Sequence, residues 1–176
     1  EASKDAVELI NCAEIVMFRG KSLGKNTIQY IDTPILDAFL HNVQMDNKLK
    51  EAVSNNHFML KYQPQFYTDS KELRGVEALI RWNDVAEDAV ISPTVFIPMA
   101  EKNGTIVPIG KWVIEESVRQ CAEWHKKFNK PIIMSINVSA IQYMKEDFVE
   151  HLIAVIEKYH VNPKCIELEV TESVLI

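Results

Sequence analysis

Four short segments of this chain read as strands, and each carries polar residues on one face where a strand packed between helices should be apolar. They are FMLKYQPQ (58–65), GVEALIRW (75–82), PIIMSINV (131–138) and CIELEVT (165–171). The first two are joined by a polar turn around Thr68-Asp69-Ser70, and helical patterns over 94–102, 109–127 and 147–160 fall among the rest. In 109–127, Ile109, Trp112, Val113, Glu116, Val118, Cys121 and Trp124 mark roughly one buried side. Strands alternating with helical crossovers imply parallel pairing and an α/β fold. Parallel strands covered on both sides by helices are normally apolar throughout. Here the two-residue period of a strand sets Ile166, Leu168 and Val170 against Glu167, Glu169 and Thr171. It likewise sets Met134, Ile136 and Val138 against Ser135, Asn137 and Ser139. Glu77 and Arg81 share a face with Gly75 and Leu79, and Lys61, Gln63 and Gln65 share another.

A closed barrel accommodates this pattern, because one face of each strand meets the helices and the other lines the interior. Inward carboxylates are costly to desolvate, by several kcal/mol each, unless a partner or metal compensates them. Arg81 is too far from Glu77 to serve, since four residues along a strand span roughly 13 Å. A further cation is therefore expected. Oxygen donors from Glu and Asn suit hard ions such as Mg²⁺ or Mn²⁺, and in barrels of eight strands the C-terminal strand ends form the active face. Any one inward glutamate is more often a salt-bridge partner or a strand-end surface residue; the conjunction over four strands is less easily dismissed and leaves a metal or anion site and the structural reading evenly open.

Before this pattern begins, Val7, Ile10, Ala13, Val16 and Met17 predict a helix over 4–20, and TIQYI (27–31) a short strand. One helix and one strand cannot enclose a core, so residues 1–32 read as the tail of a larger unit. Asp32-Thr33-Pro34 starts a second helix, with Thr33 as N-cap and Pro34 in the first turn. Asp46-Asn47 is expected to interrupt it, which makes 33–46 a linker helix and 47–176 the second domain.

Composition narrows the class. A net charge of −6 argues against a nucleic-acid polymer as partner, because that binding needs a cationic surface. Cys12, Cys121 and Cys165 are scattered and form no CxxC pair, which points to a reducing, cytoplasmic setting. No run approaches the roughly 20 apolar residues of a membrane span; any anchor would lie outside these residues. The histidines lack metal-like spacing and read as surface residues. Trp112 and Trp124, at helical positions, read as core, while Trp82 at a strand end stays open between core packing and base stacking.

At these residues the sequence resembles the EAL family of cyclic di-GMP phosphodiesterases. The naming tripeptide is Glu77-Ala78-Leu79, and YQPQ (62–65), ISPTVFIPMAEKNGTI (91–106), IGKWVIEESVRQCAEW (109–124), SINVSAIQY (135–143) and IELEVTES (166–173) match in order and spacing. The resemblance implies a TIM-like (β/α)8 barrel of EAL type, present here as its first half. AEIVMFRGKSLGKNTIQYID (13–32) resembles the C-terminal end of a GGDEF, or diguanylate cyclase, domain. By the same resemblance Glu77, Asn137 and Glu169 correspond to metal ligands of a two-metal Mg²⁺ or Mn²⁺ site. Glu77 and Glu172 take catalytic roles, Glu172 by steadying the loop beside the metals. Gln63 and Arg81 correspond to residues that hold the cyclic dinucleotide, and Glu101 to a supporting position. The implied reaction is hydrolysis of cyclic di-GMP to pGpG; the alternative left open is a receptor that binds cyclic di-GMP without cleaving it. Ala89, where the family usually has Gly, and Asn83-Asp84-Val85, where His-Pro is frequent, are expected to lie in a loop with little effect. The family's paired aspartates and catalytic lysine are expected beyond Ile176, so the 176-residue chain alone is expected to be inactive. Unpaired strand edges of a half-barrel are expected to favour self-association.

Overall fold

The computed structural model describes residues 33–170 and isolated positions between Ile10 and Ile28. Of the helix expected over 4–20, the described positions Ile10, Ala13, Glu14, Val16 and Met17 are helical. The strand expected over 27–31 lies outside the described residues except for Ile28, which has no regular structure. The backbone divides into two compact units, Glu1–Lys48 and Leu49–Ile176. No described helix is long and apolar enough to cross a membrane.

Helix α1 (Thr33–Asn55) runs through Asp46-Asn47 without a break, contrary to the expected interruption. Asp and Asn cost a few tenths of a kcal/mol in a helix, too little to end one whose next turns bury Leu49 and Ala52 completely. In the second unit, strands β1 (Phe58–Phe66) and β2 (Leu73–Asp84) form an antiparallel hairpin, closed by a hydrogen bond from the Tyr67 amide to the Glu72 carbonyl. The expected parallel order therefore starts only at the next pairing. β2 continues two residues beyond Trp82 to pair with β3 (Ala89–Ile91), so Asn83, Asp84 and Ala89 are paired strand residues and not loop. Asp84 is buried there and accepts the Ala86 amide.

Helices α2 (Pro93–Asn103) and α3 (Ile106–Phe128) follow. Ser92 stands at the N-cap of α2 with Pro93 in its first turn, and Gly104 ends it at φ 82°, a conformation that favours glycine. Strand β4 (Ile133–Val138), the short helix α4 (Ala140–Tyr143), helix α5 (Phe148–Tyr159) and strand β5 (Ile166–Val170) complete the described chain. β4 pairs parallel with both β2 and β5, giving the order β1-β2-β4-β5 with β3 attached to β2. Pro64 sits in β1, an edge strand among the described residues, where a missing N–H leaves no gap in the ladder. Gly75 is required where β2 meets β4, because a Cβ there would lie 2.4 Å from the Ile133 carbonyl oxygen.

The core lies between the sheet and α3. Ile109, Ile114, Val118 and Cys121 on α3, and Met134, Ile136 and Val138 on β4, are buried. Trp82 is 1% exposed and packs edge-on against Phe96 at 5.7 Å, so it belongs to the core and not to a stacking platform. Trp124 meets Tyr62 edge-on at 4.7 Å. His125 departs from the surface reading: its Nε2 accepts the Ile132 amide at 2.9 Å and clasps the end of α3 to the start of β4.

Candidate active site

The inner face of the sheet carries the polar residues that the alternation singled out. β1 and β2 set Gln63 opposite Glu77, β2 and β4 set Glu77 beside Ser135, and β4 and β5 set Asn137 beside Glu169. Asn137 donates from Nδ2 to Oε1 of Glu77 at 2.7 Å. Glu77 and Glu169 are half-buried and Asn137 is exposed at the end of β4. The structure thus brings Glu77, Asn137, Glu169 and Gln63 onto adjacent strands with one facing. Glu172 lies outside the described residues.

Among the described residues no three His, Cys, Asp or Glu side chains converge on one point; the grouping is two carboxylates and one amide. That donor set fits a hard divalent cation, which takes carboxylate and amide oxygens. With the amide nitrogen directed to Glu77, the carbonyl oxygen is the atom Asn137 has to offer. A neutral amide also limits the negative charge that an anionic substrate would meet.

Arg81, two strand steps beyond Glu77, donates from Nη1 to the Ile80 carbonyl oxygen at 2.8 Å and does not neutralise Glu77. It lines a cavity of about 200 Å³ whose wall is mostly apolar, with Ile97, Ile106, Ile109 and Val113 among its members and Glu101 and Gln142 among its polar ones. Glu101, at the end of α2, accepts a hydrogen bond from Ser139 Oγ at 2.7 Å. Ser139 occupies the N-cap position of α4 but makes no side-chain cap bond; its hydroxyl is spent on Glu101, which ties α2 to the turn just past Asn137. Gln142 is 3% exposed and its Nε2 has no hydrogen-bond partner among the described residues. Gly110 makes room for it, since a Cβ there would stand 2.1 Å from Gln142 Oε1. The sequence reading missed Gln142 and Gly110. The only available signal was a buried amide next to a glycine in a facing helix, which no period in either segment reveals.

The other inward carboxylate of β5 is compensated by a partner side chain, one of the two expected means. Glu167 is ion-paired to Arg74, which also donates from Nη1 to Gln65 Oε1 at 2.9 Å. An ordinary salt bridge therefore neutralises Glu167, and among the described residues the inner-face carboxylates without a cationic partner are Glu77 and Glu169.

A mixed sheet backed by helices, with oxygen donors gathered on its inner face toward the C-terminal ends of its parallel strands, is the arrangement of part of a barrel-type α/β domain. The EAL domain family matches residues 46–176, and the chain belongs to that family. Signaling protein YkoW of Bacillus subtilis is 35% identical over 170 residues, which is 96% of this chain and 21% of YkoW. The bifunctional diguanylate cyclase/cyclic di-GMP phosphodiesterase MucR of Pseudomonas aeruginosa is 31% identical over 166 residues, 94% of this chain and 24% of MucR. A solved structure described as PaMucR phosphodiesterase in complex with c-di-GMP matches with a TM-score of 0.70 and 34% identity, covering 74% of this chain and 52% of that one. The chain spans about a fifth to a quarter of the length of these curated relatives.

Proposed function

We propose that residues 46–176 belong to a cyclic di-GMP phosphodiesterase, with Glu77, Asn137 and Glu169 as ligands for Mg²⁺ or Mn²⁺ and Gln63 and Arg81 as contacts for the dinucleotide. The observation that carries the reading is the Asn137–Glu77 hydrogen bond beside Glu169, in a chain of the EAL family. When bound, divalent cations lower the pKa of a coordinated water and offset charge on the reacting phosphodiester. The chain's own residues then have distinct tasks. Arg81 offers a planar fork of donors to a phosphate. The cavity beside it, apolar over most of its wall and with Glu101 as acceptor and Gln142 Nε2 as donor at its polar points, takes a planar part of the ligand with a few polar atoms at its edge. The bond from Ser139 to Glu101 holds the turn that presents Asn137.

Residues 1–32 are, in the same proposal, the end of a GGDEF domain and 33–46 a linker helix. Support comes from MucR, a bifunctional cyclase and phosphodiesterase that matches 94% of the chain, which is more than the EAL match alone covers. Buried free thiols at Cys121 and Cys165 favour a cytoplasmic setting, and the polar backbone edge of β1, an edge strand among the described residues, favours self-association, which light scattering measures. The natural protein carrying these residues is expected to convert cyclic di-GMP to pGpG with Mg²⁺ or Mn²⁺ and to lose that activity with Glu77→Ala. Binding of cyclic di-GMP without any pGpG would overturn the phosphodiesterase reading and establish the receptor alternative.

A further inference from the structure

Strand alternation places Arg74 on the face of Val76 and Ala78, away from the polar interior. The structure turns it inward. Register between β1 and β2 shifts at Gln65/Phe66: Gln65 pairs with Gly75 and Phe66 with Leu73, which leaves Arg74 without a cross-strand partner. Such a bulge re-aims a side chain. Its guanidinium reaches Gln65 Oε1 on β1 at 2.9 Å and Glu167 on β5 at once, and Ser135 Oγ of β4 donates to the same Gln65 oxygen at 3.5 Å. Arg74 of β2 therefore ties β1 to β5, and Ser135 of β4 joins the cluster through Gln65. By register Ser135 and Glu167 continue the row of Gln63 and Glu77, and Asn137 and Glu169 lie one step further along the same face.

We propose that Arg74 is a positioning residue that decides which β5 carboxylate meets the divalent cation. By holding Glu167, it leaves Glu169 as the one carboxylate of β5 available to the ion. The proposal rests on the metal-site reading above. Glu167 and Glu169 share a face two residues apart, roughly 7 Å along the strand, so a released Glu167 is within reach of the same ion or of a second one. Arginine suits this task because its fork engages an amide and a carboxylate together, which a lysine ammonium does with less geometric control.

The test is calorimetric titration of Mn²⁺ into the full 176-residue chain, with the Mn²⁺ electron paramagnetic resonance spectrum recorded alongside. Arg74→Met is expected to tighten Mn²⁺ binding by about tenfold, or to add a second bound ion, because it adds a free negative charge near the site. The double variant Arg74→Met/Glu167→Gln is expected to return to the wild-type affinity and spectrum although the ion pair is still absent. A merely structural role would leave the double variant as altered as the single one. Glu167→Gln alone is expected to keep Mn²⁺ affinity within about twofold, since Glu167 is not a ligand, and this comparison holds even where Arg74→Met fails to fold. Unchanged binding in Arg74→Met, no recovery in the double variant, or a tenfold loss in Glu167→Gln would each overturn the proposal. Wild-type chain that binds no Mn²⁺, or binds it regardless of Glu77→Ala, would overturn the metal-site reading and this proposal with it.

Discussion

Asn137 and Glu77, sixty residues apart in the chain, are joined by an N–H···O bond of 2.7 Å across neighbouring parallel strands. The bond orients the amide, and it gives one Glu77 oxygen a partner that carries no charge. Without it the end of β4 would present a freely turning side chain beside a half-buried carboxylate. An oriented donor set binds an ion without first paying to order its ligands.

Asn137→Ala removes both the oriented oxygen and the partner of Glu77. Changes in groups that only support metal ligands already cost about 10–100-fold in affinity, so Mn²⁺ affinity is expected to fall by at least about tenfold. Asn137 is exposed, and melting temperature is therefore expected to stay within a few degrees of wild type. Calorimetry and thermal unfolding on the same preparation separate the two effects.

Gly110→Ala addresses the cavity without touching the metal ligands. The new methyl would stand 2.1 Å from Gln142 Oε1, so the amide must move into the space that Arg81 and Glu101 border. Cyclic di-GMP affinity is expected to fall by about tenfold, the loss of roughly one hydrogen bond with its desolvated partner. Mn²⁺ affinity is expected to be unchanged. Parallel titrations with the dinucleotide and the metal check both.

Burial pushes the Cys121 thiol up to about 12, while an unfolded thiol titrates near 8.5. A raised folded value means that the contribution to stability is whole below about pH 8.5 and is lost as pH rises toward about 12. Urea unfolding at pH 7 and pH 10 is expected to show a smaller loss for Cys121→Ala than for the native chain. Cys121 is also expected to resist thiol reagents at pH 8 until the chain unfolds, because the thiolate is the reactive form.

Much of this was legible in the sequence. Period-two alternation put Glu77, Asn137 and Glu169 on the inner face, and the structure keeps them there, because a one-residue slip would expose Met134, Ile136 and Val138, which are buried. What escaped was set by tertiary pairing. The antiparallel β1–β2 hairpin follows from a short polar turn, which a strand–helix rhythm overlooks. Asn83 and Asp84 look like loop residues but gain a partner in β3, a segment of three residues too short to show a period. Arg74 escaped because a bulge reverses the facing that alternation assigns. His125 escaped because its partners are backbone atoms of Ile132, which carry no side-chain signature.

The most direct test of the cation site is a crystal of the chain grown with Mn²⁺, with anomalous diffraction measured at the manganese edge. The expected result is a peak about 2 Å from oxygens of Glu77, Asn137 and Glu169, absent in Glu77→Ala crystals. A map without a peak there, or with manganese bound only on other residues, would contradict it.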